Sequence, residues 1–115
     1  MKKVLVLEDR DIDFWKIEQA FAGKADIVRA SNQWEFKKLF EENPDLDLVM
    51  MDYFSPGDTP NTLLLLQEIK KSVSDMPIIS SSMMYFRRKE MLDAGATHEG
   101  EKEKAVDIAL NLLGL

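Results

Sequence analysis

Leu48-Val49-Met50-Met51-Asp52-Tyr53-Phe54-Ser55-Pro56-Gly57 is the stretch on which the reading of this chain turns. The unbroken apolar run Leu48 to Met51 suits a strand covered on both faces, and Asp52 arrives where that strand ends. Pro56 and Gly57 then break the chain into a loop. A second such run, Val4-Leu5-Val6-Leu7, also ends in acid, at Glu8 and Asp9. Open α/β sheets bind ligands in the crevice outside the carboxyl ends of their strands. If the two runs are adjacent strands, the carboxylates of Glu8, Asp9 and Asp52 share that crevice. Like charges so close repel unless a cation joins them, and the pattern calls for a metal.

Working outward, the acidic loop Glu8-Asp9-Arg10-Asp11 leads to a helix from about Asp13 to Ala22, closed by Gly23. It places Phe14, Ile17, Ala20 and Phe21 on one face. Ile27 to Ala30 reads as a short second strand. Asn32 with Glu35 three residues on forms a capping-box-like pair, opening a helix that turns Phe36, Leu39 and Phe40 inward and stops near Asn43-Pro44. After the turn-rich 55–61 segment a helix spans about Thr62 to Lys71, with Pro60 suited to its first turn. Ile78-Ile79 is a fourth strand that runs into Ser80-Ser81-Ser82. A helix around Arg87 to Ala94 ends at Gly95, and the last, about Lys102 to Leu113, buries Ala105, Val106, Ile108, Ala109, Leu112 and Leu113. The remaining segment, Thr97 to Glu101, is polar where a buried strand is aliphatic. Strands alternating with helices at this spacing imply βαβ units and a parallel sheet.

Composition narrows the function. A length of 115 residues suits one domain, residues 1–115, able to bury about two-thirds of its unfolded surface. A net charge of −6 argues against nucleic acid as a direct partner. No apolar run reaches the ~20 residues of a membrane span, and no signal-peptide layout opens the chain. The absence of cysteine excludes disulfides and thiolate metal sites and fits a cytoplasmic protein. His98 is the only histidine, which excludes His-based metal centres and triads; it reads as a surface or strand-end residue. The methionines at 50, 51, 83 and 84 read as core and loop filling, and Trp15 as partly exposed. Tyr85-Phe86, two aromatics in a polar loop, are open to a partner contact, to standing in for the aromatic residue that the rest of the chain's last third lacks, or to core packing.

At this point the residues resemble the receiver domain of two-component response regulators along essentially the whole chain. Glu8-Asp9 is similar to that family's acidic pair. The run Asp52 to Gly57, with proline four residues after the aspartate, resembles its phosphoacceptor loop. Pro77 to Ser82 resembles its fourth strand with the terminal Ser or Thr, selecting Ser82, and counting on from Ala94-Gly95-Ala96 places Lys102 at its lysine. The resemblance implies a flavodoxin-like α/β/α sandwich with a five-stranded parallel sheet in the order 2-1-3-4-5, and the site at its switch point. It implies Asp52 as the nucleophile toward a kinase phosphohistidine or a small phosphodonor. It further implies Mg²⁺ held by Asp9, Asp52 and the backbone carbonyl of Phe54, with Glu8 acting through a bound water. Lys102 would pair with the phosphoryl group, and Ser82 would move to hydrogen-bond it as the switch. The implied partners are a sensor histidine kinase or phosphotransfer protein and an unidentified downstream protein, the domain catalysing only its own phosphorylation and dephosphorylation.

The sequence departs from the family's pattern in its last third. Glu103 stands where proline usually follows the lysine. The aromatic position of strand five falls near Glu99, and no aromatic residue occurs after Phe86. Those departures favour a pseudo-receiver, the same fold serving as a phosphorylation-independent interaction module, whereas the intact acids oppose it. An aspartyl-nucleophile phosphatase ranks lower, because Phe54 occupies the place of a second general acid. Glu8-Asp9 would repel the phosphate of a flavin.

Overall fold

The computed structural model of the chain describes residues 1–53 and 62–115. Phe54, whose carbonyl is an expected metal ligand, and the rest of the 54–61 loop lie outside the described residues. The elements run β1 (Lys2–Leu7), α1 (Asp11–Phe21), β2 (Ala25–Ala30), α2 (Gln33–Glu42), β3 (Leu48–Met51), α3 (Thr62–Ser72), β4 (Ile78–Ser80), α4 (Tyr85–Ala94), β5 (His98–Glu99) and α5 (Lys102–Leu112). All four strand pairings are parallel, in a five-stranded sheet of order β2-β1-β3-β4-β5. This is the doubly wound, flavodoxin-like sandwich, and its order reverses between β1 and β3.

The two strand periodicities divide the core between the faces. Leu5, Leu7, Val49, Met51 and Ile78 pack with Phe36 of α2, Leu66 and Ile69 of α3 and Met91 of α4. Val4, Val6, Leu48, Met50 and Ile79 face the other way, onto Ile17 and Phe21 of α1 and Ala105, Val106 and Ala109 of α5. Every residue of β3 is buried completely, which is why its run is aliphatic without alternation. Lateral pairing sets the ends: Lys3 and Lys2 join β1 because Asp26 and Ala25 of β2 offer them partners.

The polar fifth strand forms after all, as two residues at the sheet edge. Its pairing is prolonged by Thr97, whose hydroxyl donates to Ile78 O at 3.0 Å and accepts from Ile78 N at 2.9 Å, and by Gly100, whose amide donates to Ser80 O at 3.1 Å. An edge strand with half-buried side chains needs no aliphatic run. The turn before it depends on Gly95, at φ +126°, where a Cβ would lie 2.8 Å from Lys70 Cγ.

Three sequence expectations give way. Leu112 is exposed rather than buried on α5. Met83 and Met84 are 65% and 48% exposed rather than core or loop filling. The helix expected from about Arg87 begins at Tyr85, without a side-chain cap on its first residue, and so carries Tyr85 and Phe86 at 60% and 49% exposure.

Candidate functional site

The switch point between β1 and β3 is where the two acidic strand ends meet. Leu7 pairs with Met51 in register, and the Asp52 amide donates to Leu7 O at 3.2 Å. The next residue of each strand is therefore an acid, projected from the carboxyl edge of a rigid sheet. Ligand oxygens of Glu8, Asp9 and Asp52 all lie within 4.8 Å of one another. The three differ in environment: Glu8 is buried, Asp52 half-buried and Asp9 exposed. The Asp52 carboxylate is steadied by the Tyr53 amide, which donates to its Oδ1 at 2.8 Å. Glu8 Oε2 accepts from the Arg10 amide at 3.1 Å.

Lys102, the first residue of α5, enters from the other side of the chain. Its Nζ donates to Glu8 Oε1 at 2.5 Å and lies 3.6 Å from Asp52 Oδ2. Glu8 is only 1% exposed, so its charge needs this partner. Burial pushes the Glu8 carboxyl above its usual range, against the pull of Lys102. Burial raises Asp52 too, opposed by Lys102 and the Tyr53 amide and reinforced by the Asp9 charge. For Lys102, burial alone would depress the ammonium, but Asp52 and Glu8 together hold it above the ordinary lysine range.

The charges do not balance within the protein. With Glu8, Asp9 and Asp52 ionised and Lys102 protonated, three negative charges and one positive leave two negative charges in one pocket. The donors are all carboxylate oxygens, the chemistry of a hard divalent cation, so the residues fit such an ion. Asp52 and Asp9 have the freest oxygens to hold it, since Glu8 is already committed to Lys102 and the Arg10 amide.

Ser82 lies past the end of β4, next to β3, and is buried. The strand end is set by the Ser81 amide donating to Met51 O at 2.9 Å. The Ser82 hydroxyl accepts from the Met84 amide at 3.3 Å, so it is engaged with its own loop. Of the predicted residues, the structure thus gathers Glu8, Asp9 and Asp52 in one cluster, with Lys102 on Glu8 and Asp52, and leaves Ser82 buried past the end of the neighbouring β4.

Residues with no motif in the sequence tie the end of β3 and the edge strand β5 to α4. Tyr53, 2% exposed, donates its hydroxyl to Glu90 Oε2 at 2.8 Å and accepts from Arg87 Nη1 at 3.2 Å, tying the residue after Asp52 to α4. The Arg87 guanidinium also lies 4.6 Å from the Tyr53 ring centre. Arg88 joins Glu99 of β5 at 2.6 Å. Their signal in the sequence was slight: an apolar Tyr-Phe run followed by paired arginines.

The fold is that of response regulator receiver domains. A response regulator receiver domain protein from Clostridium thermocellum superposes with a TM-score of 0.78 at 22% identity, covering 99% of this chain and 98% of that one. A two-component response regulator from Clostridium difficile gives a TM-score of 0.83 at 17% identity, over 99% and 97% of the two chains. A response regulator in its Mn²⁺-bound form gives 0.77 at 13% identity, over 100% and 94%. No family model matches the sequence, and no curated protein matches it at a significant level. Among the described residues no helix is long and apolar enough to cross a membrane.

Proposed function

We propose that this chain is a receiver domain of a two-component phosphorelay, accepting a phosphoryl group on Asp52 and signalling by protein contact. The observation that carries this reading is the convergence of Glu8, Asp9 and Asp52 with the Lys102 ammonium at the switch point of a receiver fold. An Asp52 oxygen attacks the phosphorus of the donor; the new O–P bond forms as the donor's P–N or P–O bond breaks, and its electron pair leaves with the imidazole or carboxylate. The Tyr53 amide at Oδ1 fixes the carboxylate's orientation, leaving Oδ2 toward Lys102. Lys102 would pair with an oxygen of the transferred group once the Asp52 carboxylate has become an acyl phosphate. The buried Glu8 keeps that ammonium protonated and aimed.

Mg²⁺, when bound by Asp9 and Asp52 with the Phe54 carbonyl and a water on Glu8, would neutralise charge as the phosphoryl group approaches. The Mn²⁺-bound structural neighbour supports a divalent ion of this kind. The proposed donors are a sensor histidine kinase or a phosphotransfer protein in the cytoplasm, and the only chemistry is the domain's own phosphorylation and dephosphorylation.

The test is incubation with acetyl phosphate, with and without Mg²⁺, read by intact mass beside Asp52→Asn. A Mg²⁺-dependent gain of one phosphoryl group that the variant lacks is the expected result. No gain and no Mg²⁺ binding would leave a receiver-shaped interaction module.

A further inference from the structure

One side chain ties the loop after β4 to β5. Arg88 is 12% exposed, and its Nε donates to Glu99 Oε2 at 2.6 Å. Its Nη1 donates to the carbonyl of Ser82 at 2.8 Å and to that of Met83 at 3.2 Å. A guanidinium can do this because its donors form a rigid planar fork; an ammonium on a flexible stem cannot span a carboxylate and two carbonyls in the same way. Glu99 is itself fixed by its register with Ser80. The backbone that carries Ser82 is therefore held against the sheet edge by charge-assisted hydrogen bonds, the stronger kind.

The same loop has two consequences at its ends. Inward, the Ser82 hydroxyl accepts from the Met84 amide. Outward, the Arg88 guanidinium lies 5.6 Å from the ring centre of Tyr85, which is 60% exposed and adjoins exposed Met83, Met84 and Phe86. A shift of the Ser82 and Met83 carbonyls would disturb Arg88, and with it the setting of that aromatic surface.

We propose that Arg88, oriented by Glu99, is a positioning residue that latches the Ser82 loop in its resting form and links the loop's release to the surface at Tyr85. This rests on the reading of Asp52 as phosphoacceptor. For the Ser82 hydroxyl to turn toward an anion on Asp52, the loop leaves Met84 and loosens its carbonyls from Arg88. A ligand that selects the moved loop then works against the latch, and weakening the latch tightens that ligand's binding.

The test uses the full chain, Glu99→Gln and Arg88→Lys, both of which keep side-chain volume. Amide exchange at residues 83–86 is measured without ligand, and beryllofluoride with Mg²⁺ is titrated as the phosphoryl mimic. Both variants are expected to exchange about five-fold faster at 83–86 and to bind beryllofluoride about five-fold tighter, with β1 and β3 exchange unchanged. Faster exchange with equal or weaker beryllofluoride binding would make Arg88 merely structural and overturn the latch alone. Unchanged exchange would overturn it as well. No beryllofluoride binding by any form, wild type included, would overturn the Asp52 reading and the latch with it.

Discussion

The β1–β3 end of the sheet and the β4–α4–β5 side are built by different physics. At the first, apolar strands deliver short carboxylates whose positions follow from the sheet itself, and a lysine from α5 completes the pocket. At the second, position is set by long side chains reaching between elements: Arg88 to Glu99 and Ser82, Tyr53 to Glu90 and Arg87. The acidic end stores repulsion that a cation relieves. The arginine side has its charges paired already and presents an aromatic surface to solvent.

The largest effect expected from breaking this contrast is at Lys102. Lys102→Ala leaves Glu8 buried without its cation, and the fold should lose about 3 kcal/mol in denaturant unfolding at neutral pH. The loss should shrink in acid, where Glu8 takes up a proton. Next comes the divalent ion itself. Mg²⁺ at ten times its Kd should stabilise the wild type by about 1.4 kcal/mol, raising Tm by several degrees, and should do much less for Asp52→Asn.

A smaller effect sharpens the contrast through pH. In chelator, folded Glu8 and Asp52 hold protons more tightly than they do unfolded, because both are raised. Above the ordinary carboxylate range the folded state therefore binds more protons, and stability falls as pH rises through the raised values. Asp52→Asn should flatten that slope while changing nothing at α4. Lys102, also raised, contributes fully below the ordinary lysine range and loses that contribution as pH climbs from there through its raised value. The smallest effect is expected from Tyr53→Phe, which removes the hydroxyl's bonds to Glu90 and Arg87 at about 1 kcal/mol. It should leave Mg²⁺ affinity intact, because the Tyr53 contact to Asp52 is through the backbone.

The same contrast explains what the sequence made legible. Val4–Leu7 and Leu48–Met51 are fully buried parallel strands, and burial on both faces writes itself as an unbroken aliphatic run, each followed here by an acid. The Lys102–Glu8 pair spans 94 positions of sequence and has no periodic signature; only the resemblance pointed to that lysine. Arg88 and Glu99, 11 positions apart on different elements, had only a slight one, the paired arginines after Tyr85-Phe86. The start of α4 was missed because the Ser82 hydroxyl binds the Met84 amide, so no recognisable cap precedes Tyr85. β5 was obscure because backbone and Thr97 hydroxyl bonds, rather than apolar side chains, hold it to Ile78.

Asp52 is the proposed acceptor, and localising the phosphoryl group along the chain decides whether it is. After treatment with acetyl phosphate and Mg²⁺, borohydride reduction converts an aspartyl phosphate to homoserine, which peptide mass spectrometry places in the chain. Homoserine at position 52 alone, dependent on Mg²⁺, is the predicted result. Homoserine at another aspartate, 5-hydroxynorvaline at a glutamate, or neither product under conditions where Mg²⁺ binds and intact mass shows a phosphoryl gain, would contradict it.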